Sequence, residues 1–178
     1  MHKTKNFVTY HRKIEGKTNY RKRLKLLVSG TPRLVVRVTN KNVVAQVIEY
    51  SPDGDKIIVT AHSSVLKKYG WNHSTSNLPA AYLTGFLAGK LAIAKKVDHA
   101  ILDTGLQSTV KGSKLYATLK GAIDSGLDIP ASDVIFPAED RLKGKHIVDY
   151  AKAKPMKTNV ADMGKTFEDV KSKITKGK

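Results

Sequence analysis

Asp103, Thr104 and Gly105 close a short apolar run in the manner of an aspartic-protease signature, a chemistry that needs two carboxylates sharing one proton. The chain holds no second copy, so the role expected of Asp103 is to satisfy backbone donors at a strand end. A metal-dependent nuclease is the better enzymatic alternative, but two-metal phosphodiester cleavage requires several carboxylates converging on one sheet. The candidates are few: Glu49 near a strand end, Asp53 and Asp55 in a turn, and Asp103. Gly16, Lys17 and Thr18 resemble the end of a phosphate loop, yet His11 stands five positions before Gly16 and no apolar strand precedes it. The histidines, His2, His11, His62, His73, His99 and His146, show no paired short spacing with carboxylates of the kind a metal needs. No nucleophile-elbow pattern supports a Ser/His/Asp triad. With no cysteine in the chain, thiolate metal sites, a Cys nucleophile and a disulfide framework are excluded. Neither a metal nor a cofactor is expected, and no small-molecule substrate.

Binding is what the charge favours. The 178 residues carry 32 Lys+Arg against 15 Asp+Glu, a formal net charge of +17. Residues 1–29 hold nine basic and one acidic residue (+8), and residues 141–178 hold eleven and four (+7), which leaves +2 for residues 30–140. Such a field is suited to a fixed polyanion, and nucleic acid is the common one. The leading segment offers Lys3, Lys5, Arg12, Lys13 and Lys17, then the cluster Arg21, Lys22, Arg23 and Lys25; Arg33, Arg37 and Lys41 follow. Cations neutralise phosphates and release counterions, Tyr10 and Tyr20 suit stacking on unpaired bases, and Asn19 and Asn40 suit base edges or the ribose 2′-hydroxyl. Charge alone would also describe a general DNA-compacting protein.

The elements that must hold these residues begin with Thr31 to Tyr50. Two Val- and Ile-rich runs, Leu34 to Thr39 and Val43 to Tyr50, flank Asn40, Lys41 and Asn42, and asparagine tolerates the left-handed backbone of a tight turn. In this hairpin Leu34, Val36 and Val38 point to a core while Arg37 and Lys41 stay wet. Before it, Met1 to Gly16 has no sustained apolar period and reads as an arm. Thr18 or Asn19 then caps a short helix with Tyr20, Leu24, Leu27 and Val28 as its apolar stripe and Arg21, Lys22, Lys25 and Arg23 outward; Gly30 and Pro32 stop it.

After the hairpin, Ser51 to Asp55 is a turn and Lys56 to Ala61 a third strand, which makes an antiparallel meander. Ser64 to Tyr69 predicts a short helix. Asn77 caps a long helix with Pro79 at its first position, an apolar face of Leu83, Phe86, Leu87 and Leu91, and a small-residue side with Gly85 and Gly89 that suits close approach to a sheet. His99 to Asp103 predicts a buried strand, reached by a right-handed parallel crossover. Ser113 to Ser125 predicts a helix ended by Gly126, Val134 to Phe136 a last strand, and Glu139 to Lys152 a helix anchored by Leu142, Ile147 and Tyr150. In the Lys-rich tail Phe167, Val170 and Ile174 fall at helical spacing, suited to docking on the body or on a partner.

The expected fold is therefore α/β, a sandwich with a mixed sheet. Three antiparallel strands followed by helix-strand units also describe ribonuclease-H-like folds, the setting of the nuclease alternative. The longest apolar stretch, Leu78 to Val97, contains Pro79, Lys90, Lys95 and Lys96 and is too polar to span a bilayer, and no signal-peptide core leads the chain. A soluble cytoplasmic protein without a membrane partner is expected.

Seven blocks in order, Glu15 to Leu24 (EGKTNYRKRL), Val36 to Lys41 (VRVTNK), Lys68 to Trp71 (KYGW), Ala80 to Gly85 (AAYLTG), Leu102 to Leu106 (LDTGL), Leu119 to Leu127 (LKGAIDSGL) and Lys143 to Ile147 (KGKHI), are similar to the archaeal large-subunit ribosomal protein eighteen family. The resemblance runs from Glu15 to Tyr150. Eukaryotic members continue much further, so their tail contacts do not transfer beyond about Ala153. What the resemblance implies is a three-layer ribonuclease-H-like sandwich without catalysis. To this body the charge and periodicity of the chain add an extended basic N-terminal arm and a C-terminal helical tail, for expected divisions of 1–29 (RNA-binding arm and first helix), 30–152 (globular body) and 153–178 (tail). The resemblance also implies partners: 5S rRNA, 23S rRNA, large-subunit ribosomal protein five and other proteins of the central protuberance. Carried onto this chain, the family's rRNA contacts are Lys13, Lys17, Thr18, Asn19, Tyr20, Arg21, Lys22, Arg23, Arg37, Thr39, Asn40 and Lys41, with the loop of Lys111, Gly112, Ser113 and Lys114 in the same set.

Overall fold

The structure, a computed structural model, describes residues 9–153 and 160–177. Lys3 and Lys5, and the start of the tail at 154–159, lie outside the described residues. Alternating apolar residues build the sheet first. β1 (Arg33–Val38) pairs antiparallel with β2 (Val43–Glu49), from Arg33 opposite Ile48 to Val38 opposite Val43, and β2 pairs antiparallel with β3 (Lys56–His62) with an irregularity at Val47/Ile48. The meander expected from the sequence is present. Its tight turn is not left-handed, however: Lys96 is the one non-glycine of positive φ among the described residues. Instead Thr39 closes the turn, its N–H and hydroxyl both donating to the Asn42 carbonyl (2.8 and 2.9 Å) while its Oγ1 accepts from the Asn42 N–H at 3.0 Å.

β4 (Ile101–Asp103) joins parallel to β1, giving one four-stranded mixed sheet in the order β3-β2-β1-β4. The chain thus crosses the whole sheet between β3 and β4, and the helix that carries it is α3 (Leu78–Ala94). Asn77 caps that helix through its side chain, which accepts from Ala80 N at 2.9 Å, and Pro79 sits in the first turn where its missing N–H costs nothing. α3 packs on β2 and β3 on one side and on α4 (Lys114–Asp124) and α7 (Met163–Thr175) on others, which is why 13 of its 17 residues are buried. Leu91, expected in its apolar face, is 39 % exposed. The small side of α3 does not meet the sheet but α4: a Cβ on Gly85 would fall 1.8 Å from the Thr118 carbonyl oxygen, and one on Gly121 of α4 would fall 2.1 Å from that of Tyr82.

Leu34, Val36, Val43, Ala45 and Val47, all fully buried, face these helices. The opposite face of the sheet, carrying Arg33, Val35, Arg37 and Asp103, is approached by α2 (Tyr20–Leu27), preceded by a helical turn, α1 (His11–Ile14), within the segment Met1 to Gly16 that the sequence marks as an arm. The short helix expected over Ser64 to Tyr69 is present as a 3-10 helix, Ser63–Tyr69. Two further expectations change. Val134 to Phe136, expected as a strand, lies in a 3-10 turn (Asp133–Ile135). The helix expected over Glu139 to Lys152 is two, α5 (Glu139–Leu142) and α6 (Lys145–Ala153), because Gly144 between them has φ of 81°, a left-handed conformation no helix interior tolerates. Leu142 is a buried anchor, Ile147 half-buried, and Tyr150 exposed. In α7, Met163, Phe167, Val170 and Ile174 are buried and Lys171 Nζ donates to the Tyr82 hydroxyl at 2.9 Å, so the tail helix docks on the body of its own chain. Among the described residues no helix is long and apolar enough to cross a membrane.

Candidate nucleic-acid interface

Asn19 starts α2 by accepting from Lys22 N at 3.1 Å, and the direction this gives the helix decides which cations remain free. The stripe expected to face the body was Tyr20, Leu24, Leu27 and Val28. Observed instead, Leu24 is 65 % and Val28 81 % exposed, and α2 turns Lys22, Arg23 and Leu26 to the sheet. It is held there by polar contacts. Lys22 Nζ donates to Thr104 Oγ1 (2.8 Å) and to the Gly105 carbonyl (3.1 Å), and Arg23 Nη2 pairs with Asp55 Oδ1 at 2.8 Å.

Beneath the helix the charges alternate in a ladder. Asp55 Oδ2 receives Arg33 Nη2 at 2.8 Å, Arg33 Nη1 reaches Asp103 Oδ2 at 2.8 Å, and Asp103 Oδ1 takes the Gly105 N–H at 2.8 Å with Arg37 Nη2 at 3.5 Å. Parallel pairing of Val35 with Asp103 brings this carboxylate beside β1, and period-two alternation puts Arg33 and Arg37 on the same face. Asp103 therefore does satisfy a backbone donor at a strand end, as expected, and it also neutralises a buried arginine. Arg33, nominated with the surface cations, is 2 % exposed with its guanidinium engaged by two carboxylates, so its place is structural. Its Nε is buried without a hydrogen-bond partner among the described residues.

Burial alone would raise the Asp55 pKa, but hydrogen bonds from Arg23 and Arg33 outweigh it and hold the carboxyl below its ordinary value. The Arg23 guanidinium is correspondingly raised, chiefly by its hydrogen bond to Asp55. A depressed carboxyl contributes stability that is complete above its unfolded pKa and is lost as pH falls through the folded one. Thermal unfolding of wild type and Asp55→Asn is thus expected to differ at neutral pH and to converge below about pH 4; curves that stay parallel into acid would remove the ladder's electrostatic role.

The remaining nominated residues fall into two groups. Around α2, Arg12, Lys17, Thr18 and Asn19 border the ladder, Tyr10, Lys13, Tyr20 and Arg21 gather beside them around Leu106, and Lys25 is exposed on the helix; Arg12 Nε donates to Thr18 Oγ1 at 3.0 Å and Lys17 pairs with Glu15 at 2.9 Å. At the end of β1, Thr39, Asn40 and Lys41 are exposed and tied to the start of α4: Lys114 Nζ donates to Ser76 Oγ (3.2 Å), which donates to the Thr39 carbonyl (3.1 Å). Lys111 is exposed, whereas Ser113 has its hydroxyl buried without a partner among the described residues. Arg37 lies between the groups, its Nη1 donating to the carbonyls of Val36 and Asp103 and its side chain 42 % exposed. Next to it Gln107 clamps Val38, accepting from its N–H (3.2 Å) and donating to its carbonyl (2.7 Å). The sequence offered Asp55 and Thr104 only as parts of discounted catalytic patterns, not as positioning residues, and Gln107 was missed altogether; of the three only Thr104 lies in a block, Leu102 to Leu106, that carried a signal.

Among the described residues Lys13, Arg21, Lys25, Lys41 and Lys111 form no ion pair, although neighbours such as Arg23 and Lys17 do. Both groups are thus cationic surface on a rigid support, with the carboxylates turned inward to Arg33. The family of ribosomal large subunit proteins 60S L5 and 50S L18 matches residues 5–98 and 92–132. A protein of Thermofilum pendens named large ribosomal subunit protein uL18 is 51 % identical over 145 residues, covering 82 % of this chain and 74 % of that one. Its namesake in Methanothermobacter thermautotrophicus is 47 % identical over 146 residues, covering 82 % and 76 %. That of Methanobrevibacter smithii is 44 % identical over 180 residues, covering 94 % and 93 %, so the similarity extends into the tail. A match over more than two thirds of the chain, on a scaffold that displays unpaired cations, makes this chain a member of the large-subunit ribosomal protein family of 60S L5 and 50S L18.

Proposed function

We propose that the chain is a structural constituent of the large ribosomal subunit that binds 5S rRNA and helps attach it to 23S rRNA in the central protuberance, beside large-subunit ribosomal protein five. The family is one of non-enzymatic ribosomal components, working in the cytoplasm where the ribosome is. The observation that carries the reading is the division of labour on α2: Lys22 and Arg23 fasten the helix while Arg21 and Lys25 stay exposed with no carboxylate to neutralise them among the described residues. Unpaired cations on a fixed helix suit phosphates. The divisions at 29/30 and 152/153 belong to the same proposal, as does a ribonuclease-H-like topology, which the strand order β3-β2-β1-β4 with a parallel β4 supports. The nuclease alternative loses ground on geometry, since Asp55 and Asp103, the carboxylates brought together on the sheet, converge on Arg33 rather than on a shared opening.

Titrating purified 5S rRNA with the protein at rising salt tests the reading. With about ten phosphates engaged, log K is expected to fall against log salt with a slope of about −7 to −9. Arg21→Ala with Lys25→Ala is expected to reduce that slope by about two and leave the melting temperature nearly unchanged, as for exposed positions generally. A flat salt dependence, or displacement from 5S rRNA by excess duplex DNA, defeats the proposal; the second outcome would mark a general nucleic-acid compactor.

A further inference from the structure

Beside the ladder, on the outer side of α2, lies an apolar opening that the fold does not need. Tyr10 and Tyr20 bring their ring centroids to 4.7 Å at an interplanar angle of 36°, yet Tyr10 remains 68 % exposed. Leu106, 55 % exposed, comes from the loop after β4 to form the facing wall. The cavity between them measures about 540 Å³, within the roughly 300–1,000 Å³ usual for small-ligand sites. Its walls are fixed to each other, because Lys22 Nζ on α2 holds the same loop through Thr104 Oγ1 and the Gly105 carbonyl.

The chemistry of the rim narrows the occupant. Lys13 and Arg21 line the cavity and form no ion pair among the described residues, so a ligand with negative groups on either side of a flat apolar body complements it. Asn19 spends its Oδ1 on the cap of α2, which leaves its amide N–H groups as donors at the edge. Aromatic faces with flanking cations and an amide donor describe recognition of an unstacked base in single-stranded RNA. We propose that this cavity seats one extruded nucleobase, stacked on the Tyr10–Tyr20 pair against Leu106, with its neighbouring phosphates on Lys13 and Arg21. The inference rests on the rRNA-binding reading above and gives it a specific contact.

The test uses the full chain, 5S rRNA and three variants, Tyr10→Leu, Tyr20→Leu and Tyr20→Phe, with affinity measured across a salt series and base reactivity mapped by chemical probing. Stacking carries no phosphate contact, so each Leu variant is expected to weaken binding about tenfold while the salt slope stays at its wild-type value. One unpaired base, shielded by the wild type, should become reactive again with Tyr20→Leu and stay shielded with Tyr20→Phe, which keeps the ring. Circular dichroism and melting temperature check that the variants fold. Wild-type affinity and an unchanged probing pattern in both Leu variants overturn the seat, as does a loss confined to the docking of a protein neighbour. Salt-dependent binding that ignores these tyrosines sinks the seat alone, whereas absence of salt-dependent 5S rRNA binding by the wild type sinks the parent reading with it.

Discussion

Replacing Arg33 with Met is expected to destabilise the protein by about 3–5 kcal/mol, the typical cost of stripping one partner from a buried ion pair. Arg33 is 2 % exposed, and without its guanidinium the Asp103 carboxylate, whose side chain is 9 % exposed, keeps only the Gly105 N–H and the longer contact to Arg37. For a chain of this size the melting temperature should drop by about 6–20 °C. Removing both partners, with Arg33→Met and Asp103→Leu together, is expected to recover part of the loss, since an apolar pair in place of a buried ionic one is often neutral. Recovery stays incomplete because Asp103 also accepts from Gly105 and thereby shapes the loop that Lys22 holds. At temperatures where Arg33→Met is folded, the salt slope of RNA binding should equal that of wild type. A slope lower by about one would mean that Arg33 touches phosphate after all. A loss below about 1 kcal/mol would show that the ladder is dispensable.

Arg33 also shows where the sequence stops being legible. In β1 the alternation Leu34, Val36, Val38 announces one buried face, and the structure has it; the same alternation puts Arg33 and Arg37 opposite, where a positively charged wet surface was expected. Arg37 is at the edge of that expectation and Arg33 is outside it. Its partners, Asp55 and Asp103, are 22 and 70 residues away, and no local pattern reports a pairing over such separations. The orientation of α2 was lost for the same reason. Apolar periodicity favoured Tyr20, Leu24, Leu27 and Val28 as the inner stripe, but the helix is oriented by Lys22 and Arg23 finding carbonyl, hydroxyl and carboxylate acceptors contributed by other loops. Periodicity assumes that burial of apolar surface decides, and here polar contacts do. Caps and stops fared better, because Asn77 before α3 and Gly126 after α4 act within their own turn. The internal break at Gly144 lay in the sequence as a glycine but was not expected, since one glycine inside a helical period is compatible with either a weak helix or a stop.

The second large effect is expected at Gly85, where adding a single methyl group should cost at least about 3 kcal/mol, at or above the upper end of typical overpacking. Its Cβ would sit 1.8 Å from the Thr118 carbonyl oxygen and 2.7 Å from the carbonyl carbon, both backbone of α4, so no side chain can rotate out of the way. Gly121 returns the constraint from α4, with its Cβ position 2.1 Å from the Tyr82 oxygen, and the two helices can part only by opening the most extensive helix contact in the fold. The better helix propensity of alanine, about 1 kcal/mol, offsets a minor part of this. Gly164 in α7 is the control: nothing lies within 4 Å of its Cβ position, so Gly164→Ala should stabilise by several tenths of a kcal/mol or more. Urea unfolding of the two variants measures both signs. The functional readout follows from the separation of scaffold and surface, because α3 and α4 meet on the side of the sheet away from α2. Gly85→Ala should therefore bind 5S rRNA with the wild-type salt slope at temperatures where it remains folded, and lose binding only along its unfolding curve. Weakened binding by the folded variant would place part of the RNA contact on α3 or α4, and the Lys111 to Lys114 loop that leads into α4 is where footprinting should then find it.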